Sequence, residues 1–272
     1  MITGANSGIG YVTTRELAEM GADVVMVCRS KERGEAARNE IIRETGSGSV
    51  ELMIADLSSQ EEVRKLASDF MDTRDRLHVL VNNAALWPTK RILTVDGLEL
   101  QFGLNHLAYF LLTNLLLDVL KASAPARVVN TSSGIHKRAR INFDDLQAER
   151  GYRHMRAYGQ SKVANVLFTY ELARRLAGMG VTVNSFTPGM AKTNLGRYMS
   201  RGAQFIFRLL AKKTENGAAT AIYLASSPEV DGVTGKYFAD CRPAKSSKLS
   251  YDEDTAKRLW DVSEQLTGLG GG

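Results

Sequence analysis

Short runs rich in valine and isoleucine alternate with longer stretches of helical periodicity along the whole chain, and this alternation constrains the fold more than any single residue does. Parallel strands buried on both faces read as unbroken apolar runs, and joining them takes crossovers long enough to hold a helix. The runs at 22–28, 50–55, 79–82, 127–131, 181–186 and 236–238 are predicted strands, and Met1-Ile2 reads as the end of a seventh. Ile9, Val12, Leu17 and Met20 share one face of a helix that closes at Gly21, while Val163, Leu167, Tyr170 and Leu176 share a face of another. The expected architecture is α/β, a doubly wound, mainly parallel, seven-stranded sheet with helices on both faces. With 272 residues, no repeat and no linker, it fits a single domain over 1–272.

Composition removes several function classes. No apolar run approaches the roughly 18 residues of a membrane span, and the chain opens on a glycine loop rather than a basic segment followed by an apolar one, so no integral membrane segment or signal peptide is expected. Cys28 and Cys241 are too few for a disulfide framework or a four-ligand zinc site, and the four histidines lack metal-ligand spacing. A reducing cytoplasm is the expected location. The net charge is +5, but the basic residues are interleaved with acids, as in Arg15-Glu16 and Glu32-Arg33, so no nucleic-acid surface is expected. The densest basic cluster, His136 to Arg140, reads as a solvated loop. Lys245 to Ser250 reads as a surface loop.

Thr3-Gly4-Ala5-Asn6-Ser7-Gly8-Ile9-Gly10 stands where the first strand turns into a helix. Glycines there allow a tight turn and let backbone N–H groups approach a pyrophosphate at the positive end of the helix. Gly4, Asn6, Ser7, Gly8, Ile9 and Gly10 are therefore candidate cofactor-binding residues, against the alternative of a glycine turn with no ligand. The next strand ends in Cys28-Arg29-Ser30-Lys31, with no carboxylate before Glu32. NAD-selective dinucleotide folds carry an acid near this place. A guanidinium there instead suits the 2′-phosphate of NADP(H), so Arg29 is its candidate reader.

Tyr158 and Lys162 lie four residues apart, on one face of a helix. A phenol near pKa 10 is a poor acid–base group at neutral pH, and a nearby ammonium would lower that value, which makes the pair chemically useful. Ser132-Ser133 follow the strand at 127–131, beyond whose carboxyl end an open parallel sheet places its ligands, so a hydroxyl there can polarise a carbonyl. The alternative for the serines is a turn or helix cap.

Together these residues resemble the short-chain dehydrogenase/reductase family, a Rossmann-type fold, in the family's order and over nearly the whole chain. The glycine loop, Asp56-Leu57, Asn82-Asn83-Ala84-Ala85, Asn105, Ser133, Tyr158 with Lys162, and Pro188-Gly189 fall on its motif positions. Cys28-Arg29, Gln101 to Leu107, Ala124 to Asn130, Asp145-Leu146-Gln147 and Gly235 to Phe238 look like its retinol dehydrogenase-type branch. The resemblance implies that Tyr158 exchanges a proton with the substrate oxygen while Ser133 hydrogen-bonds the same oxygen. Lys162 would lower the Tyr158 pKa and hold the nicotinamide ribose, and Asn105 would support a water-linked proton relay through Lys162. Asp56, with Leu57 beside it, would bind the adenine amine. Asn83 and Ala84 would line the cofactor cleft, Asn83 through its backbone, and Pro188, Gly189 and Thr193 would embrace the carboxamide.

The chain departs from the family pattern in two places. Ala85 stands where the family carries glycine, which predicts slight crowding of the cofactor. Only Met1-Ile2 precede the glycine loop, so the central strand reads as short; either the start lies upstream or the fold is less stable than its relatives.

The expected function is an NADP(H)-dependent oxidoreductase interconverting an alcohol and an aldehyde or ketone on a hydrophobic small molecule. The alternatives are a catalytically idle NADP-binding sensor or scaffold, and an isomerase, dehydratase or epimerase on a related fold. The segment at about 190–213 is rich in Tyr198, Met199, Phe205, Ile206, Phe207, Leu209 and Leu210, and reads as a lid over an apolar substrate, against the alternatives of an amphipathic helix packed on the core and a membrane-surface helix. A homo-oligomer is compatible with this reading.

Overall fold

The computed structural model describes residues 1–189 and 214–270. Thr193 and the expected lid at 190–213 lie outside the described residues. The strands are β1 (Ile2–Thr3), β2 (Val24–Cys28), β3 (Val50–Ile54), β4 (Val79–Asn82), β5 (Ala126–Thr131), β6 (Val181–Thr187), β7 (Lys236–Ala239) and β8 (Arg242–Pro243). They form one sheet in the order β3-β2-β1-β4-β5-β6-β7-β8. Every pairing is parallel except β7 with β8, which is antiparallel. The seven expected strands are thus joined by a two-residue eighth. Asp240 and Cys241, both at positive φ, turn the chain between the last two strands.

The described helices are α1 (Gly8–Glu19), α2 (Lys31–Thr45), α3 (Gln60–Thr73), α4 (Leu100–Phe102), α5 (Ala108–Leu115), α6 (Leu117–Ala122), α7 (His154–Arg175), α8 (Thr214–Ser226) and α9 (Glu253–Thr267), with a π-helical turn at Gly103–Leu107. None of them is long and apolar enough to cross a membrane.

The period of two in the strands divides the core into two layers. In β2, Val24, Met26 and Cys28 face a cluster containing Ile9 and Leu17 of α1, Ile41 of α2 and Leu224 of α8. Val25 and Val27 face the opposite cluster with Phe70 of α3, Leu111 of α5, Phe168 of α7 and Trp260 of α9. All five β2 residues are buried, which is why the run lacks polar alternation.

Helix α7 lies against the sheet and is covered from outside by α9. Trp260 of α9 packs edge-on against Phe110, 4.9 Å between centroids, and the Arg175 guanidinium covers its ring. Removing such an aromatic side chain costs about 3–5 kcal/mol. Because it is covered on both sides, α7 is buried at every position from Ala157 to Ala173.

Two segments expected at the surface keep their basic residues exposed but bury single polar side chains. His136 lies in a 3₁₀ turn, Gly134–Arg138, and is fully buried. Ser247 and Ser250 are buried around a second 3₁₀ turn, Lys248–Tyr251. Both segments are held by long-range hydrogen bonds, described below, that local charge does not reveal.

Candidate active site

The strand order reverses between β1 and β4, and a cavity of about 460 Å³ opens at the carboxyl ends of the central strands. Gly4, Asn6, Ser7, Gly8 and Ile9 form one wall. Gly4 and Gly8 have φ of 67° and 59°, and helix α1 begins at Gly8 with its N-terminus at the cavity.

Gly10 does not line the cavity; it lies behind the loop. A Cβ there would stand 2.4 Å from the Gly4 carbonyl oxygen and 2.6 Å from Asn83 Nδ2, so the glycine is needed for the loop to close on β4. Asn83 acts through both its backbone and its side chain. Its N–H donates to Thr3 Oγ1 at 2.8 Å and its Nδ2 to the Thr3 carbonyl at 2.8 Å, bracing the loop from below. Ala84 and Ala85 continue this wall.

Arg29, Arg33, Asp56 and Leu57 line the second wall. Arg29 follows β2, and its guanidinium is 3.7 Å from Asp56 Oδ2, both groups being partly exposed. Asp56 Oδ1 accepts from the N–H and the hydroxyl of Ser58, which fixes the carboxylate. Arg33 is a residue that sequence reasoning missed. Its N–H is capped by Ser30 Oγ, and the available signal was its place in the first turn after Arg29, with Ser30 as the N-cap.

The third wall carries the acid–base candidates. Ser132 and Ser133 follow β5; Ser132 turns its hydroxyl back to the Lys162 carbonyl at 2.8 Å, while Ser133 and Tyr158 both line the cavity. Lys162, also lining it, is fully buried; its Nζ donates to the Thr131 carbonyl at 3.1 Å and stands 5.7 Å from the Tyr158 ring centre. Burial drives the Tyr158 pKa well above its ordinary value, against the smaller, opposing influence of the neighbouring Ser133 side chain. Burial also lowers Lys162 to about 7. The expected lowering of the phenol pKa is therefore reversed, because desolvation penalises both charged forms.

Asn105 does not line the cavity. It sits in the π-helical turn, where its side chain clamps Leu86, accepting from the Leu86 N–H at 2.8 Å and donating to the Leu86 carbonyl at 2.9 Å. Its own carbonyl accepts from Asn165 Nδ2, which also donates to the Thr131 carbonyl shared by Lys162. The connection from Asn105 to Lys162 thus runs through Asn165, which the sequence reading overlooked. The available clue was that Asn165 follows Lys162 by three residues on the same helix.

The remaining lining is apolar and includes Leu86, Trp87, Leu104, Ile135 and Met155. Trp87 stacks on Tyr158. Nothing in a single sequence placed that indole over the phenol. Pro188 and Gly189 close the far side. Among the described residues, no three His, Cys, Asp or Glu side chains gather as metal ligands.

A family model described as short chain dehydrogenase matches residues 1–204. Retinol dehydrogenase 14 of Homo sapiens is 45% identical over 288 aligned residues, covering 99% of this chain and 86% of that protein. Among solved structures, an uncharacterized protein from Mycobacterium Paratuberculosis superposes with a TM-score of 0.81 at 39% identity, covering 98% of this chain and 92% of the other. The Pseudomonas aeruginosa RhlG/NADP active-site complex superposes with a TM-score of 0.71 at 29% identity, covering 87% and 92%.

Proposed function

The chain belongs to the short-chain dehydrogenase family, and from that premise we propose that it is an NADP(H)-dependent oxidoreductase interconverting an alcohol and an aldehyde or ketone on an apolar small molecule. The observation that carries this reading is one continuous cavity with Ser133, Tyr158 and Lys162 on one wall, and the glycine loop with Arg29 and Arg33 on the others. Similarity to a protein solved as an NADP complex supports the cofactor, and similarity to a protein named as a retinol dehydrogenase supports an alcohol or carbonyl on an apolar body.

The residues present fit NADP(H). The N-terminus of α1 offers positive dipole to a pyrophosphate, two guanidiniums stand beyond β2 for a 2′-phosphate, and the nearest carboxylate, Asp56, is paired with Arg29 and Ser58. When bound, the nicotinamide supplies or accepts the hydride. Tyr158 gives its proton to the substrate oxygen in reduction and takes it back in oxidation. Its raised pKa keeps it protonated across the neutral range, ready for the reductive direction. Ser133 holds the same oxygen by a hydrogen bond and orients it toward Tyr158. Lys162, near neutrality in its buried setting, stabilises negative charge developing on the phenol oxygen when protonated. Leu86, Trp87, Leu104 and Met155 receive the apolar body and exclude water.

The test is a panel of apolar aldehydes, ketones and alcohols, each run with NADPH, NADP⁺, NADH and NAD⁺ while following absorbance of the reduced nicotinamide. Turnover confined to the phosphorylated forms is expected. Tight NADPH binding with no turnover of any member would instead mark a binding module.

A further inference from the structure

We infer that His136 is a positioning residue that holds Ser133 through Nδ1 and packs on Tyr237 of β7, while its Nε2 separately fastens the carboxyl-terminal segment at Ser247; this rests on the proposed acid–base role of Ser133 and Tyr158. His136 is not among the cavity residues and has no accessible surface. Its Nδ1 lies 2.7 Å from the Ser133 carbonyl oxygen, which also accepts from the His136 backbone N–H at 3.1 Å. Its Nε2 lies 3.2 Å from the backbone nitrogen of Ser247. An amide N–H can only donate and a carbonyl can only accept, so the geometry selects one neutral tautomer, with the proton on Nδ1 and the lone pair on Nε2.

Both ends of this bridge are anchored. On one side Ser133 caps the turn and lines the cavity with Tyr158. On the other, Ser247 Oγ accepts from the Ser250 N–H at 3.2 Å, and neighbouring Ser246 meets the Tyr170 hydroxyl of α7 at 2.8 Å. The imidazole also packs on Tyr237 of β7, with centroids 4.6 Å apart. Tyr237 pairs across the sheet with Ser185 of β6, two residues before Thr187, whose Oγ1 accepts from the Gly189 N–H at 3.2 Å. One imidazole therefore supports the Ser133 wall from behind while lining neither substrate nor cofactor space.

His136→Phe keeps the ring against Tyr237 and removes both nitrogens. His136→Asn retains an amide donor near the Nδ1 position but cannot reach Ser247. For the Phe variant we expect kcat for NADPH-dependent reduction of an apolar aldehyde such as nonanal to fall about 10- to 100-fold, the loss that misplacing a reacting group by about 1 Å produces. KM for the aldehyde and the NADPH dissociation constant should stay within about threefold. The Asn variant should recover most of kcat. A Phe variant that melts cooperatively and turns over at the wild-type rate, or an Asn variant as impaired as the Phe variant, overturns the inference. If the Phe variant does not fold, a folded Asn variant that loses more than about tenfold in kcat overturns it equally. Hydrogen exchange supplies an arm independent of turnover: amides at 247–250 should exchange faster in the Asn variant while those at 133–136 stay protected. Loss of protection at both segments, or at neither, is the overturning result. A wild-type protein inactive on every carbonyl would refute the proposed function, and the exchange result would still decide whether His136 bridges the two segments.

Discussion

The indole of Trp87 lies stacked on the phenol of Tyr158, with ring centroids 5.2 Å apart and planes 23° from parallel. Trp87 follows the Asn82-to-Ala85 turn, and Tyr158 sits on α7, so the contact joins two cavity walls at the proposed acid–base group. It also covers one face of the phenol, whose burial raises the Tyr158 pKa. Trp87→Ala admits water beside the phenol and relieves desolvation, so the pKa falls. The alkaline limb of kcat/KM for carbonyl reduction, where Tyr158 loses its proton, should move to lower pH, while Trp87→Phe should leave it near the wild-type position. Matched pH–rate profiles decide the point, and an unmoved limb in the Ala variant assigns the desolvation to other residues.

Tyr158→Phe removes the hydroxyl and keeps the ring beneath Trp87. General acid–base catalysis contributes about 10²- to 10⁴-fold, and the variant should lose at least that much in kcat. NADPH affinity, measured by quenching of protein fluorescence, should be largely retained. Near wild-type turnover would show that the proton comes from elsewhere.

The sheet was legible because its signal is local. In β2 every residue is buried between two helix layers, and five apolar residues in succession announce that. The glycine loop and the Tyr158–Lys162 pair were legible for the same reason, since turns and helix faces depend on near neighbours. Strand β8 was not, because its turn is made by Asp240 and Cys241 at φ of 48° and 59°. Such primed turns are usually marked by Asn-Gly or Asp-Gly, and cysteine at the second position hides the hairpin. His136 was misread because the group that buries and satisfies it, the Ser247 amide, lies 111 residues away. The direction of the Tyr158 shift escaped for a related reason: spacing gives the distance to a cation but not the burial of either group.

His106 predicts acid sensitivity of the fold. It is fully buried in the π-helical turn, with Nδ1 3.3 Å from Asn165 Oδ1 and Nε2 3.0 Å from Ser263 Oγ of α9. Burial lowers its pKa from 6.5 to about 4; the Asn165 contact opposes the fall and the charge of Lys162 adds to it. Between these values the unfolded chain binds a proton that the folded chain does not. Its stabilising contribution is thus complete above pH 6.5 and is lost as pH falls toward 4, a change of about 3 kcal/mol. Burial lowers the His136 pKa as well, and the sign is the same. Thermal melts should show Tm dropping by several degrees across this window, and His106→Gln, which cannot titrate, should flatten the profile. An equally steep profile in the Gln variant would place the acid sensitivity in other groups.

On the proposed reading, cofactor choice rests on Arg29 and Arg33. Arg29 stands just past β2, where an acid would repel a 2′-phosphate, and its contact with Asp56 is a partly exposed ion pair worth about 0–1 kcal/mol. Removing it therefore costs the fold little. Hydrogen bonds to a charged group contribute about 1.5–3 kcal/mol, so Arg29→Ala should weaken NADPH binding about 10- to 150-fold and leave NADH nearly unchanged. Arg33 reaches the same wall from the first turn of α2, and Arg33→Ala should show the same selectivity for the phosphorylated cofactor. The double variant should bind NADPH and NADH with similar affinity. Dissociation constants for both cofactors across the wild type and three variants suffice, because a phosphate-reading guanidinium changes their ratio and a merely structural arginine weakens both alike. Equal weakening in every variant, or a wild-type preference for NADH, would remove both arginines from cofactor recognition.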